Sequence, residues 1–209
     1  MGRSEKRRVV VTGMGVISPI GECRETFWKN LIAGQSGIGP ISRFDASDFP
    51  IKHAAEVKEF DPTRSIEPKQ LRRMSRSTQF MVTAAEQAIG EASRDGCIAR
   101  DLKRVGVILG SGIGGIEEVF IEYDRYRLHG LKGSSPFALL MVMPNALSGE
   151  IAIRHGFRGA NFTVNSACAS ASHALGMALR EIQRGSIDVC VSGGAEALIH
   201  PMCLLTFAT

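Results

Sequence analysis

The chain has 209 residues, of which 44% are hydrophobic and 22% charged, and its formal net charge is +4. That balance suits a folded globular protein and argues against global disorder. The mild charge argues against a general nucleic-acid binder, and no run approaches the ~18 apolar residues that a membrane span requires.

Read in chain order, the opening MGRSEKRRVVVTGMG lacks the apolar core of ~7 to 15 residues found in signal peptides, so a cytoplasmic location is expected. Residues 7–13, RRVVVTG, have the apolar run of a buried strand. Residues 23–34 read as a helix stopped by Gly34, and a loop-rich stretch follows at 40–50. Basic residues then gather at Arg64, Lys69, Arg72, Arg73 and Arg76, with Glu67 the one acid among them. An acidic partner and a merely solvated face both explain such a cluster. Residues 77–96 are expected as a long helix that presents Phe80, Met81, Ala84, Ala85, Ala88, Ile89 and Ala92 on one broad face.

Residues 104–110 read as a second buried strand and 115–127 as a helix. Asn145 is placed to cap a helix ending at Gly156. Residues 162–166 and 187–194 read as strands, with a helix over 169–184 between them. Strands alternating with helices imply an α/β layered fold with a mostly parallel or mixed sheet, in one domain spanning 1–209. The sequence stops two residues after the apolar run MCLLTF, with no polar tail, which suggests that more of the protein lies beyond it.

The glycines of GSGIGG, residues 110–115, match a dinucleotide-binding turn between a strand and a helix. Such a turn also needs a second strand ending in an acid about 20 residues on, to hold the ribose. Here that region reads RLHGLKGSS, with neither, and VTGMGVIS near the start fails in the same way. An oxidoreductase using a nicotinamide cofactor is therefore disfavoured. Tight backbone packing, or room for a substrate chain, accounts for the glycines.

Five cysteines, Cys23, Cys97, Cys168, Cys190 and Cys203, are odd in number and form no CxxC pair, which points to reduced thiols rather than a disulfide framework or a zinc site. Cys168 differs from the others in lying between a strand and a helix, within TVNSACASAS. Unpaired N–H groups and the macrodipole at a helix start favour a thiolate. Its neighbours Ser166, Ala167, Ala169, Ser170 and Ala171 are small and keep the approach to sulfur clear. A nucleophile and a buried small hydrophobe both remain open for Cys168; for Cys190, inside a strand, and for Cys23, Cys97 and Cys203 the second is the better reading. A thiolate commonly needs an imidazole nearby. His173 is five residues on, roughly 140° around the helix, and is expected to pack in the core instead. His53, His129, His155 and His200 carry no local signature of a base.

Taken in order, RRVVVTGMGVISPIG, LIAGQSGIGPISRFD, VGVILGSGIGG, SSPF, MPNALSGEIAIRHG, VNSACASASHALG and DVCVSGGAEA closely resemble the beta-ketoacyl-acyl carrier protein synthases of fatty-acid synthesis, type II in particular. The resemblance runs over essentially the whole chain but matches only the first half of the family's length. It implies a thiolase-like fold, the first half of an α-β-α-β-α layered architecture with a mixed sheet, usually in a homodimer. It also implies an acyltransferase that condenses acyl and malonyl thioesters of acyl carrier protein, with loss of carbon dioxide. Cys168 would hold the acyl group, and its amide would be one of two oxyanion donors. The two catalytic histidines, a lysine and a glycine-rich loop would come from the second half.

The same resemblance implies roles for other residues. Ile113 would line the acyl pocket beside the nucleophile, Phe207 would line the same pocket, and Phe137 would close it from the partner subunit. Lys69, Arg72 and Arg73 would dock the acidic carrier protein. No metal or redox cofactor is implied, because phosphopantetheine arrives on the carrier. The chain departs from the family's usual pattern at Ser166, commonly threonine; at Ala171, commonly glycine; and in the ALL that follows SSPF. A non-catalytic relative, the chain-length factor, lacks the nucleophile that Cys168 would supply. A non-catalytic fragment and a polyketide-type ketosynthase subunit stand as alternatives.

Overall fold

A computed structural model describes residues 7–94, 96 and 101–208. In chain order these form α1 (Arg24–Ile32), β1 (Ile38–Pro40), β2 (His53–Ala55), α2 (Pro68–Leu71), α3 (Arg76–Arg94), β3 (Val105–Gly110), α4 (Ile116–His129), α5 (Ala138–Val142), α6 (Ala146–His155), β4 (Asn161–Val164), α7 (Ser170–Arg184), β5 (Val189–Gly194) and α8 (Pro201–Ala208). They divide into two compact units, one from Met1–Met14, Ala85–Gly114 and Pro144–Glu196, the other from Gly15–Ala84, Gly115–Met143 and Ala197–Thr209. The expected inert role of Cys97 lies outside the described residues.

The first unit is built on a three-stranded sheet in the order β4-β3-β5, parallel throughout. All six residues of central β3 are buried, as a strand covered on both faces requires. On one face Ile108 packs with Ala174 and Ala178 of α7 and with Ile187, and Phe162 and Val164 of β4 join them. Strand alternation turns Leu109 and its register partner Thr163 to the other face. There Thr163 Oγ1 donates to Ser148 Oγ of α6 at 3.2 Å, and Leu147 and Ile151 of α6 are fully buried. The chain leaves β4, crosses through α7 and returns as β5 on the far side of β3, the long connection that parallel pairing demands.

Two expectations in this unit need correction. Residues 7–13 form no strand, and Val10 and Val11 are 67% and 78% exposed. Among the described residues β5 bonds only to β3, and Val9–Val11 and Val189–Val191 both line a cavity of about 340 Å³. An apolar run becomes a strand only where another edge lies within hydrogen-bonding reach. Asn145 does precede α6, but its side chain makes no cap bond. Its backbone is already helical, at φ −73° and ψ −6°, whereas a capping side chain needs an extended residue. The helix does end at Gly156, in the left-handed conformation expected of it.

In the second unit β1 and β2 pair antiparallel, with Ile38 opposite Ala55 and Pro40 opposite His53. Buried Glu56, just after β2, accepts hydrogen bonds from the backbone of Ser42 and Arg43 and from Ser42 Oγ, which fixes the loop after β1. Arg43 in turn pairs with buried Glu117 of α4 and donates to Ile199 O at 3.2 Å. Arg76 donates to Val57 O at 2.7 Å and lies 4.9 Å from the Phe80 ring centroid. Burial, then repulsion from Arg43, holds its guanidinium below the ordinary arginine range. Arg76 thus serves the packing of this unit rather than an exposed basic face.

Candidate active site

The register of the sheet brings the ends of its strands together: Gly110 of β3 is paired with Val164 of β4 and with Gly194 of β5. The loops beyond these carboxyl ends are where open α/β sheets place ligands, above all where the chain direction switches sides. They carry Ser111–Gly114 after β3, Asn165–Ala169 after β4, and Ala195 and Glu196 after β5. Cys168 is therefore delivered to this rim by the topology itself.

The turn that carries Cys168 is strained and tied down. Ala167 has φ +50°, the one positive value outside glycine among the described residues, in a region where a side chain costs about 1 kcal/mol or more. Ser170 holds it from both sides, its Oγ donating to Ala167 O at 2.7 Å and accepting from Ser166 N at 2.8 Å. Backbone bonds from Ala169 N to Ser166 O and from Ser170 N to Ala167 O close the turn. Cys168 then stands exposed two residues before α7, which favours a displayed thiol over the buried small hydrophobe that the sequence also left open.

Glycine is required where α7 begins. A Cβ on Gly110 would lie 2.3 Å from Ser170 C and 2.5 Å from Ala171 N, and one on Gly194 would lie 2.7 Å from Ala171 Cβ. The start of α7 therefore sits on strand ends stripped of side chains, and the family departure at Ala171 is accommodated because Gly194 faces it. The sequence marks Ser170 only as a small neighbour of Cys168 and gives Asn165 no role. Asn165 Nδ2 donates to Ser111 O at 2.8 Å and ties the rim loop of β4 to that of β3. The signal was the Ser-x-x-x-Ser spacing of Ser166 and Ser170 and the polar residue at the strand end.

The other thiols differ from Cys168. Cys190 is half-buried in β5, and burial pushes its thiol up to about 12. Cys203 is buried in α8, and Cys23 is half-buried beside Thr26, 3.2 Å from its hydroxyl. His173 is exposed rather than packed in the core, a correction that follows from its place on the outer face of α7; its Nδ1 lies 2.7 Å from Ser166 Oγ. His155 stacks on Phe157 and lies 3.1 Å from Glu86 Oε1, while His200 stacks on Phe120. Among the described residues no cluster of His, Cys, Asp and Glu could hold a metal.

Ile113 is 48% exposed on the loop after β3, and that loop runs against the Cys168 turn: a Cβ on Gly112 would lie 3.6 Å from Ala167 Cα. Phe137, Phe207, Lys69, Arg72 and Arg73 belong to the other unit. There Phe137 and Arg72 line one cavity of about 510 Å³ with Leu71, Met74 and Met141. Glu118 also lines it, its carboxyl held above the usual range by burial and then by Glu117. Lys69 and Arg72 are exposed at α2 and its end, Arg73 is half-buried, and Phe207 is exposed on α8.

Residues 6–209 match the family model of the beta-ketoacyl synthase N-terminal domain. The chain belongs to this family. It is 40% identical over 211 residues to 3-oxoacyl-[acyl-carrier-protein] synthase 2 of Synechocystis, which covers all of the chain and 50% of that protein. It is 38% identical to the synthase of the same name from Coxiella burnetii, over 98% of the chain and 49% of that protein. This synthase-family chain thus spans about half the length of these curated relatives. Among solved structures it is similar to the ishigamide ketosynthase/chain length factor, with TM-score 0.88 and 30% identity over 98% of this chain and 51% of that one. The thiolase-like α/β fold is that of the ketosynthases. Among the described residues no helix is long and apolar enough to cross a membrane.

Proposed function

We propose that this chain carries the nucleophile of a 3-oxoacyl-[acyl-carrier-protein] synthase that elongates fatty acids by decarboxylating condensation. The observation that carries the reading is the exposed Cys168 on a pinned left-handed turn at the sheet's carboxyl rim, in a chain of this family. The Cys168 thiolate attacks the carbonyl of an acyl-carrier thioester, forming a new thioester and releasing the carrier thiolate, which takes up a proton. Malonyl carrier then loses carbon dioxide, and the resulting carbanion attacks the acyl-Cys168 carbonyl. The carbon–sulfur bond breaks, Cys168 returns as thiolate, and the carrier leaves with a 3-oxoacyl chain two carbons longer. Passing through a covalent thioester splits one hard step into two easier ones. The macrodipole of 15-residue α7 favours the anionic sulfur at its start.

In this reading Ile113 lines the acyl pocket beside Cys168, Phe207 is a further acyl-lining residue, Phe137 closes the pocket of the partner subunit in the dimer, and Lys69, Arg72 and Arg73 meet an acidic carrier protein by charge complementarity. The protein works in the cytoplasm as a homodimer. It needs no metal or redox cofactor, because phosphopantetheine comes with the substrate. The histidines and lysine that assist the family's chemistry come from the half of the relatives' length that this chain does not span. Cys168→Ala in the intact protein is expected to abolish formation of 3-oxoacyl product from acyl and malonyl carrier while leaving the thermal midpoint nearly unchanged. A variant that still condenses would overturn the assignment.

A further inference from the structure

Glu196 lies on the same rim as Cys168 and has no part in the chemistry above. Its Oε2 accepts from Gly112 N at 2.6 Å and its Oε1 from Ser111 Oγ at 3.1 Å. The buried Ser111 hydroxyl accepts in turn from Gly114 N at 2.9 Å, so one carboxylate governs the backbone on both sides of Ile113. The loop is held from its other side as well. Ser111 N donates to Val164 O at 3.1 Å, and Ser111 O accepts from Asn165 Nδ2, three residues before Cys168. A Cβ on Gly112 would stand 2.9 Å from Glu196 Oε2 and 3.6 Å from Ala167 Cα, so the loop is confined between the carboxylate and the nucleophile's turn.

We infer that Glu196 is a positioning residue that fixes the 111–114 loop against the Cys168 turn and so sets where Ile113 meets the acyl chain. The inference rests on the proposed acyl transfer to Cys168. Two hydrogen bonds to a charged acceptor, each stronger than a neutral one, make the loop a rigid wall rather than a mobile one. A long acyl chain on Cys168 runs along that wall for more of its length than a short one and so depends more on its place.

The test compares wild type with Glu196→Gln and Glu196→Asp in the intact protein. Glutamine retains the length but lacks the charge, and aspartate retains the charge but falls short of Gly112. Cys168 alkylation by iodoacetamide is measured beside kcat/KM for acyl transfer from butyryl, octanoyl and palmitoyl thioesters. Both variants are expected to alkylate at close to the wild-type rate and to transfer butyryl nearly as well. Palmitoyl transfer is expected to fall about tenfold, the effect of losing one charge-assisted hydrogen bond. Equal losses at every chain length, or none, would overturn the positioning role, and so would parallel loss of alkylation, which marks a merely structural one. Wild-type protein that places no acyl group on Cys168 would instead overturn the function itself, and the inference with it.

Discussion

Two cysteines show how surroundings decide the chemistry of one side-chain type. Cys190 sits inside β5, where burial pushes its thiol up to about 12 and keeps it protonated at neutral pH. Cys168 stands exposed where a strained alanine hands the chain to a helix. The glycines beneath that turn are as necessary as the sulfur. A methyl group on Gly110 would meet backbone atoms of Ser170 and Ala171 at 2.3 to 2.5 Å, and backbone cannot swing aside as a side chain can. Gly110→Ala in the intact protein is expected to destabilise it by about 3 kcal/mol, an overpacking cost that lowers the thermal midpoint by several degrees. Calorimetry checks it, and an unchanged midpoint would mean that α7 can lift away without loss.

At the scale of elements, sequence patterning was most informative where a segment meets its partners locally. The uninterrupted run of β3, the helix α7 and its Gly185 stop, and the wide apolar face of α3 all stand close to where periodicity places them. The segment 7–13 does not, because pairing is a property of two edges and its sequence specifies only one. The short β1–β2 pair escaped notice for a related reason, since three residues per strand are too few to show alternation. The basic cluster divides along the same line. Arg76 is drawn in over Phe60 and Phe80, which spacing cannot reveal, while Lys69 and Arg72 remain exposed on α2 and at its end. Lys69→Glu combined with Arg72→Glu is therefore expected to weaken carrier-protein binding about tenfold at low salt and to flatten its salt dependence, because reversed surface charges act mainly on steering and encounter. Titration at two ionic strengths measures this, and unchanged affinity would remove α2 from the docking surface.

For the molecule as a whole, Cys168 stood out in sequence as a candidate because a cysteine among small residues at a strand-to-helix seam has a local signature. The rim that surrounds it did not. Ser111, Asn165 and Glu196 come from three different strand ends and meet only because parallel strands β4, β3 and β5 finish side by side. Sequence spacing carries no trace of that meeting. The central claim is that this rim exists to present one sulfur to an acyl thioester. Its most direct test is to incubate the intact protein with an acyl-carrier thioester, without malonyl carrier, and locate the added acyl mass by peptide mass spectrometry. The acyl group is expected on the peptide containing Cys168 and on no other cysteine; an acyl group found on Cys190 or Cys203 with Cys168 unmodified would contradict the account.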